Sequence, residues 1–416
     1  MNCPHCGRPN PSGVTVCLSC GQAISTTNSV PGTRSIITQF SGLSGNEMFC
    51  VGLLGYNHGS LLVGNSVFSM GLLGGLRSNI RTFVGGELAA YTNMIAQGRK
   101  LSLQRFEQEM STASGCGASG VTSELIFHPG NVEFLSIGST LKREEVQDNT
   151  FTSSADGQEL FCQWDAGYTP VSFVFGNVAY SIGFGRGLLG GIRQLAKGEI
   201  KQYSDIFNTT RNLALQRIAV EAQQKGGNCV IGIRTTILPI GVSGVQEMVM
   251  IGTASYNETI APVAASVGGI ITSDLTAEET WNITKLGYAP LKLVLGTSVY
   301  SLGVVGGIRA AFRNMIKGEI KSLTEMIYGA REESLKRVQT QAEAIGADDV
   351  LGIKTYIYNL GNGLIEFLAI GTAVKRIQGV TTRSTQLPPQ AIIRDKDTFI
   401  NTANFVYGAD LQNPRR

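Results

Sequence analysis

Four of the eight cysteines in this 416-residue chain are spaced for metal chemistry. They form two Cys-x-x-Cys knuckles, Cys3-Pro4-His5-Cys6-Gly7 and Cys17-Leu18-Ser19-Cys20-Gly21, with ten residues between the pairs. A short hairpin brings four such thiolates onto one tetrahedral ion, and Zn²⁺ is the ion this donor set favours. Gly7 and Gly21 each follow the second cysteine of a knuckle, where the chain must turn sharply and a positive φ is needed. With Cys3, Cys6, Cys17 and Cys20 filling every position, the ion keeps no open site for water or substrate. The chemistry expected is therefore structural.

The other cysteines, Cys50, Cys116, Cys162 and Cys229, are widely scattered and read as reduced core thiols. The alternative reading is a soft-metal site, which would need Cys or His clustered at ligand spacing. Cys50 and Cys162 occupy equivalent positions in the repeat described below, but the third such position is Asn282. Of the three histidines, His5 lies inside a knuckle, while His58 and His128 do not recur. No nucleophile–base pair can be assembled from repeated residues, so the expectation is a protein without enzymatic activity.

Composition sets broad bounds. The chain is 43% hydrophobic and 16% charged, a globular profile with room for about three domains. A net charge of +3 is too small to argue by itself for nucleic acid or an anionic membrane. The opening residues lack the order of a secretory signal, and no apolar run approaches the roughly 18 residues of a membrane span. A cytoplasmic location is the expectation.

Beyond the knuckles the chain repeats itself. Gly55-Tyr56 recurs 112 residues later as Gly167-Tyr168 and a further 120 residues on as Gly287-Tyr288. The same offsets carry Gly64 to Gly176 and Gly296, Glu87 to Glu199 and Glu319, and Arg105 to Arg217 and Arg337. The resulting organisation is a metal-binding segment over 1–24, a linker over 25–42, repeats over 43–143, 155–257 and 275–377, and a tail over 378–416. The tail shows no packing pattern and reads as flexible or docked on a partner. Stretches 144–154 and 258–274 read as linkers.

Each repeat reads as a β-α-β-β unit with a small antiparallel sheet, an α+β fold. A short strand is expected at Glu47–Cys50, Glu159–Cys162 and Glu279–Asn282, before the Gly-Tyr turn. A β-rich run such as 171–178 follows, then a glycine-punctuated apolar loop (70–76, 187–192 and 303–308). A long helix comes next, from Glu319 to about Ile345 in the third copy, with small or apolar residues at Ile320, Leu323, Ile327, Ala330, Ser334, Val338, Ala342 and Ile345. Gly226 and Gly346 are expected to cap it. In the last strand of the second copy, Met248 and Met250 are apolar on one face and Val249 and Ile251 on the other. One helix covers only one face, so burial against another copy of the repeat is implied.

Residues 331–354 and 369–375 resemble the small bacterial YbjQ family, whose label is "putative heavy-metal-binding", and the opening knuckles resemble minimal zinc ribbons. The second repeat resembles the family less closely and the first least. The resemblance implies a β-α-β-β fold closing into a five-membered ring of domains. Three tandem repeats do not fill such a ring with whole chains. The expectation is therefore three stacked rings threaded by five chains of 44.3 kDa, a pentamer of about 221 kDa. Extended linkers would span roughly 30 Å between layers.

The recurring charges admit two readings each. Glu87, Glu199 and Glu319 read as helix-start glutamates favoured by the macrodipole, or as carboxylates lining a ring or pocket. Glu133, Glu247 and Glu366 could pair across an interface with Arg105, Arg217 and Arg337, or stand solvated. The glycine loops lack the Gly-Lys-Ser/Thr of a phosphate loop and read as close backbone packing around a ring axis, with a membrane-surface contact as the alternative. The basic helix stripes lack interleaved aromatics, which favours solvated faces over nucleic-acid contacts. The function expected is a self-assembling scaffold in which the zinc ribbon or the tail recruits a partner protein. The rivals are a metal-sensing protein using repeat thiols and a membrane-surface or nucleic-acid binder.

Overall fold

The computed structural model describes residues 6–9, 19–20, 40–69, 86–143, 150–181, 198–240, 245–301, 321–361, 364–388 and 399–401. Residues 1–39 and 40–416 form two separate compact units. Within the first, Gly7 has the positive φ, 71°, expected after a knuckle. Cys6 and Cys20 are exposed, and Cys3, Cys17 and Gly21 lie outside the described residues.

The second compact unit holds the three repeats. The first contains helix α1 (Gly45–Leu53), strand β1 (Asn57–Ser69), the two-residue strand β2 (Gly86–Glu87), helix α2 (Ala89–Thr112) and strands β3 (Gly117–His128) and β4 (Asn131–Lys142). The second continues with β5 (Phe151–Thr152), α3 (Gly157–Asp165), β6 (Thr169–Ser181), β7 (Gly198–Glu199), α4 (Lys201–Gln224), β8 (Cys229–Pro239) and β9 (Val245–Tyr256). Then come α5 (Ala261–Ser266), β10 (Ile271–Thr272), α6 (Ala277–Lys285), β11 (Tyr288–Ser301), α7 (Lys321–Ala344), β12 (Asp349–Gly361), β13 (Leu364–Arg376) and β14 (Phe399–Asn401). The β-α-β-β order and the α+β class stand.

The short strand expected before each Gly-Tyr turn is instead a helix, α1, α3 or α6. Each begins with a capping box. Ser44, Asp156 and Thr276 accept a hydrogen bond from the backbone N–H three residues on, while Glu47, Glu159 and Glu279 accept from the cap's own N–H. These reciprocal bonds satisfy orphan donors that a strand would leave to a neighbour. The following glycines, Gly55, Gly167 and Gly287, turn the chain with φ of 79°, 91° and 81°.

In each repeat the long first strand pairs antiparallel with the last, and the last with the middle one. The long helix crosses this sheet at a recurring glycine. A Cβ on Gly176 would come within 2.1 Å of the Ala214 carbonyl oxygen and 2.5 Å of Ile218 N, and Gly64 and Gly296 meet their helices in the same way. Backbone thus touches backbone, which only glycine permits. Gly226 and Gly346 close α4 and α7 with φ of 86° and 65°.

The described parts of the stretches between repeats carry structure: β5 pairs in parallel with β3, and 258–274 contain α5 and β10, which pairs in parallel with β8. The start of the tail is also ordered. Arg383 and Ser384 donate backbone N–H bonds to Asp165, whose carboxylate also takes Trp281 Nε1–H at 2.6 Å. No helix among the described residues is long and apolar enough to cross a membrane.

Candidate assembly interface

The repeats meet through a junction that occurs twice. Strand β2, contributed by the first repeat, adds antiparallel to the edge of β6 in the second (Gly86 opposite Ser181, Glu87 opposite Tyr180). Strand β7 adds to β11 of the third repeat in the same register (Gly198 opposite Ser301, Glu199 opposite Tyr300). The chain then turns into the long helix, and Leu88 N and Ile200 N donate to Ala179 O and Val299 O at 2.8 and 2.7 Å. The long helices α2 and α4 therefore each lie between their own sheet and the sheet of the next repeat.

This explains the two apolar faces of β9. Met248 and Met250 are buried in the cluster that holds the helix α4 side chains Tyr203, Phe207, Leu215 and Ile218. On the other face, Ile251 packs with Phe173 and Phe175 against Leu103, Phe106 and Met110 of the first repeat. The equivalent strand face of the third repeat, with Leu293, Leu295 and Ile370, packs against Leu215, Ile218 and Ala222 of the second. The burial implied by the sequence is thus against the neighbouring repeat of the same chain.

Two ion pairs cross each junction. Glu87 pairs with Arg217 at 2.7 Å and Glu199 with Arg337 at 2.6 Å. The helix-start and pocket-lining readings of Glu87 and Glu199 are thereby corrected: the added strand carries each carboxylate onto the next repeat's helix. Glu319 lies outside the described residues. The expected partnership of Glu247 and Glu366 with Arg217 and Arg337 is corrected as well. Glu247 pairs with Arg99 at 2.8 Å, and Glu366 with Arg211, all four side chains being at most 1% exposed.

Arg99 and Arg211 are functional residues absent from the sequence expectation, yet they carry a signal: Arg99, Arg211 and Arg331 recur at the same 112- and 120-residue offsets, six positions before Arg105, Arg217 and Arg337. Each buried pair has further polar or aromatic neighbours, although Glu366 Oε2 has no hydrogen-bond partner among the described residues. Arg99 also donates to Ser123 O at 2.7 Å, and Asn177 donates to Glu247 at 3.2 Å. The Arg211 guanidinium lies 5.6–5.8 Å from the ring centroids of Tyr180, Phe207 and Tyr358. Burial pushes the Glu366 carboxyl up, and the Arg211 charge pulls it back part of the way.

In the first repeat Arg105 donates to Asn65 O at 2.5 Å, as Arg217 does to Asn177 O, but Glu133 bonds His128 of its own hairpin at 2.7 Å instead of a buried arginine. Because consecutive repeats share sheet edges, they lie side by side. The expectation that the three repeats of one chain occupy three separate stacked rings is corrected by this layout.

The thiols sit elsewhere. Cys50, Cys162 and Cys229 are fully buried in one apolar cluster with Tyr168 and Trp281. Burial, with help from Asp156 and Glu47, pushes the Cys50 thiol up to about 11, and burial also raises Cys162 and Cys229. Such thiols are poor metal ligands, because the ligand is the thiolate. Among the described residues no group of three or more His, Cys, Asp or Glu is placed to hold a metal ion. The glycine loops at 70–76, 187–192 and 303–308 lie outside the described residues.

The family model described as "Putative heavy-metal-binding" matches this chain three times, over residues 56–124, 168–258 and 279–377. The chain belongs to the YbjQ family. The second and third matched segments span a whole strand–helix–hairpin core, and the first covers its strand, its helix and the start of its hairpin. Among similar proteins, an encapsulin nanocompartment protein of Mycobacterium tuberculosis is 29% identical over 236 residues, 55% of this chain and 87% of that protein. UPF0145 proteins of Pseudothermotoga lettingae and Thermotoga maritima are 41% and 42% identical over 85 residues, each match covering 20% of this chain and 80% of the relative.

Proposed function

We propose that this chain is a non-enzymatic, self-assembling scaffold, with the N-terminal knuckles acting as a zinc-ribbon adaptor for a partner protein. The observation that carries the reading is the junction itself, built twice from equivalent residues. A surface that binds its own next copy by strand addition, apolar burial and two ion pairs is a heterologous interface, the kind that propagates into assemblies. The mycobacterial relative's name assigns that protein to a nanocompartment, which accords with the same role here.

Cys3, Cys6, Cys17 and Cys20 supply the donor set for one structural Zn²⁺, and the positive φ of Gly7 suits the turn after the first pair. Zinc bound there would fold the segment without offering a reactive site. The repeat thiols do not favour the metal-sensing reading, because burial holds them protonated. Native mass spectrometry with metal analysis tests the reading. One zinc per chain, lost on replacing all four cysteines with Ser, and masses well above 44.3 kDa are expected. A monomer, or soft metal surviving that replacement, would overturn it.

A further inference from the structure

The first and third repeats carry, on their outward faces, the two halves of one junction. Leu61, Val63 and Val67 in the first repeat are 45%, 43% and 57% exposed. Their counterparts Phe173, Phe175 and Ala179 are 1%, 4% and 0% exposed, and Leu293, Leu295 and Val299 are all at 0%. The strand is the same. The difference is that a preceding repeat covers it in two copies and none does in the first.

The other half stands open on the third repeat. Leu335, Val338, Ala342, Val350 and Ile353 line a surface cavity of about 350 Å³ between α7 and β12. They occupy the positions of Leu103, Phe106, Met110, Ala118 and Val121 in the first repeat, which receive Phe173 and Phe175. They also match Leu215, Ile218, Ala222, Val230 and Ile233 in the second, which receive Leu293 and Leu295. The charges match too. Glu133 stands where Glu247 and Glu366 accept an arginine, and Arg331 occupies the helix position of Arg99 and Arg211.

We infer that a second copy of this chain docks head to tail, its Leu61–Val67 strand seated in the third-repeat groove, so that the junction within the chain continues between chains. This rests on the scaffold reading and specifies its contact. It also sets the arithmetic of closure: any closed ring contains a multiple of three repeats, and two chains form the smallest that uses both faces of each. A ring of five repeats cannot be built from whole chains in this way.

Complementary blocked chains test it. One full-length variant carries Leu61→Lys and Val63→Lys, and the other Leu335→Lys and Ile353→Lys, so that the blocked faces also repel each other. Circular dichroism checks their folding. If either fails to fold, Val67→Lys and Gln339→Lys, both on exposed side chains, replace them. In analytical ultracentrifugation each variant alone should sediment as a 44.3 kDa monomer, and the 1:1 mixture as a species of about twice that mass and nothing larger. Variants that keep the size of the wild-type assembly, or a mixture that stays monomeric while wild type assembles, would overturn the head-to-tail contact and leave the scaffold reading standing. A monomeric wild-type chain would overturn both.

Discussion

Replacing Arg211 by Ala should cost far more than replacing Arg217, although both arginines bridge repeats. Arg211 and Glu366 are 1% and 0% exposed, whereas Arg217 and Glu87 are 36% and 20% exposed. Removing one partner of a buried pair strands the other charge in the interior and costs about 3–5 kcal/mol. An ion pair at the surface contributes about 0.2–1 kcal/mol. The loss should also depend on pH. Without Arg211 the folded-state pKa of Glu366, already raised by burial, rises further above its unfolded value. A raised carboxyl favours folding of the protonated form, so its penalty is absent below the unfolded pKa of about 4.3 and grows as pH climbs toward the folded value. Urea unfolding at pH 5 and pH 8 reads this directly: the Arg211→Ala deficit should be smaller at pH 5. The double replacement Arg211→Met with Glu366→Leu should recover most of the loss. A deficit at pH 8 no larger than that of Arg217→Ala would refute the reasoning.

Gly176→Ala should destabilise the second repeat by about 1–3 kcal/mol or more in the same assay, because the new methyl meets helix backbone that cannot yield; an unchanged midpoint would show that the strand–helix approach is looser. Glu278 is pushed up to about 7, by burial first and then by Glu159 and Asp156. It therefore makes stability fall as pH rises between its unfolded value and about 7, and Glu278→Gln should flatten that part of the profile of thermal midpoints. The Cys50 thiol, at about 11, should react with a thiol reagent at pH 8 only after denaturation; rapid labelling of the native chain at Cys50 would contradict its burial.

The sequence made the repeat visible because its glycines and charges recur at fixed offsets. Gly64, Gly176 and Gly296 mark a contact that no other residue allows, and the two-faced last strand correctly required a neighbour. The helices α1, α3 and α6 were missed because they are short and follow a β-like composition. Their Ser44-x-x-Glu47, Asp156-x-x-Glu159 and Thr276-x-x-Glu279 boxes carried the signal. The partners of Glu87 and Glu247 were not legible, because pairing depends on which repeat a two-residue strand joins, and nothing in a Gly-Glu dipeptide specifies that. Arg99 and Arg211 were hidden by the ordinary expectation that arginines face water; they are buried because a carboxylate from the next repeat meets each of them.

Electron cryomicroscopy of the full-length assembly, counting repeats around each closed ring, tests the central claim most directly. The account predicts rings in which first, second and third repeats alternate side by side, with a total divisible by three. Five-membered rings each made of a single type of repeat would contradict it.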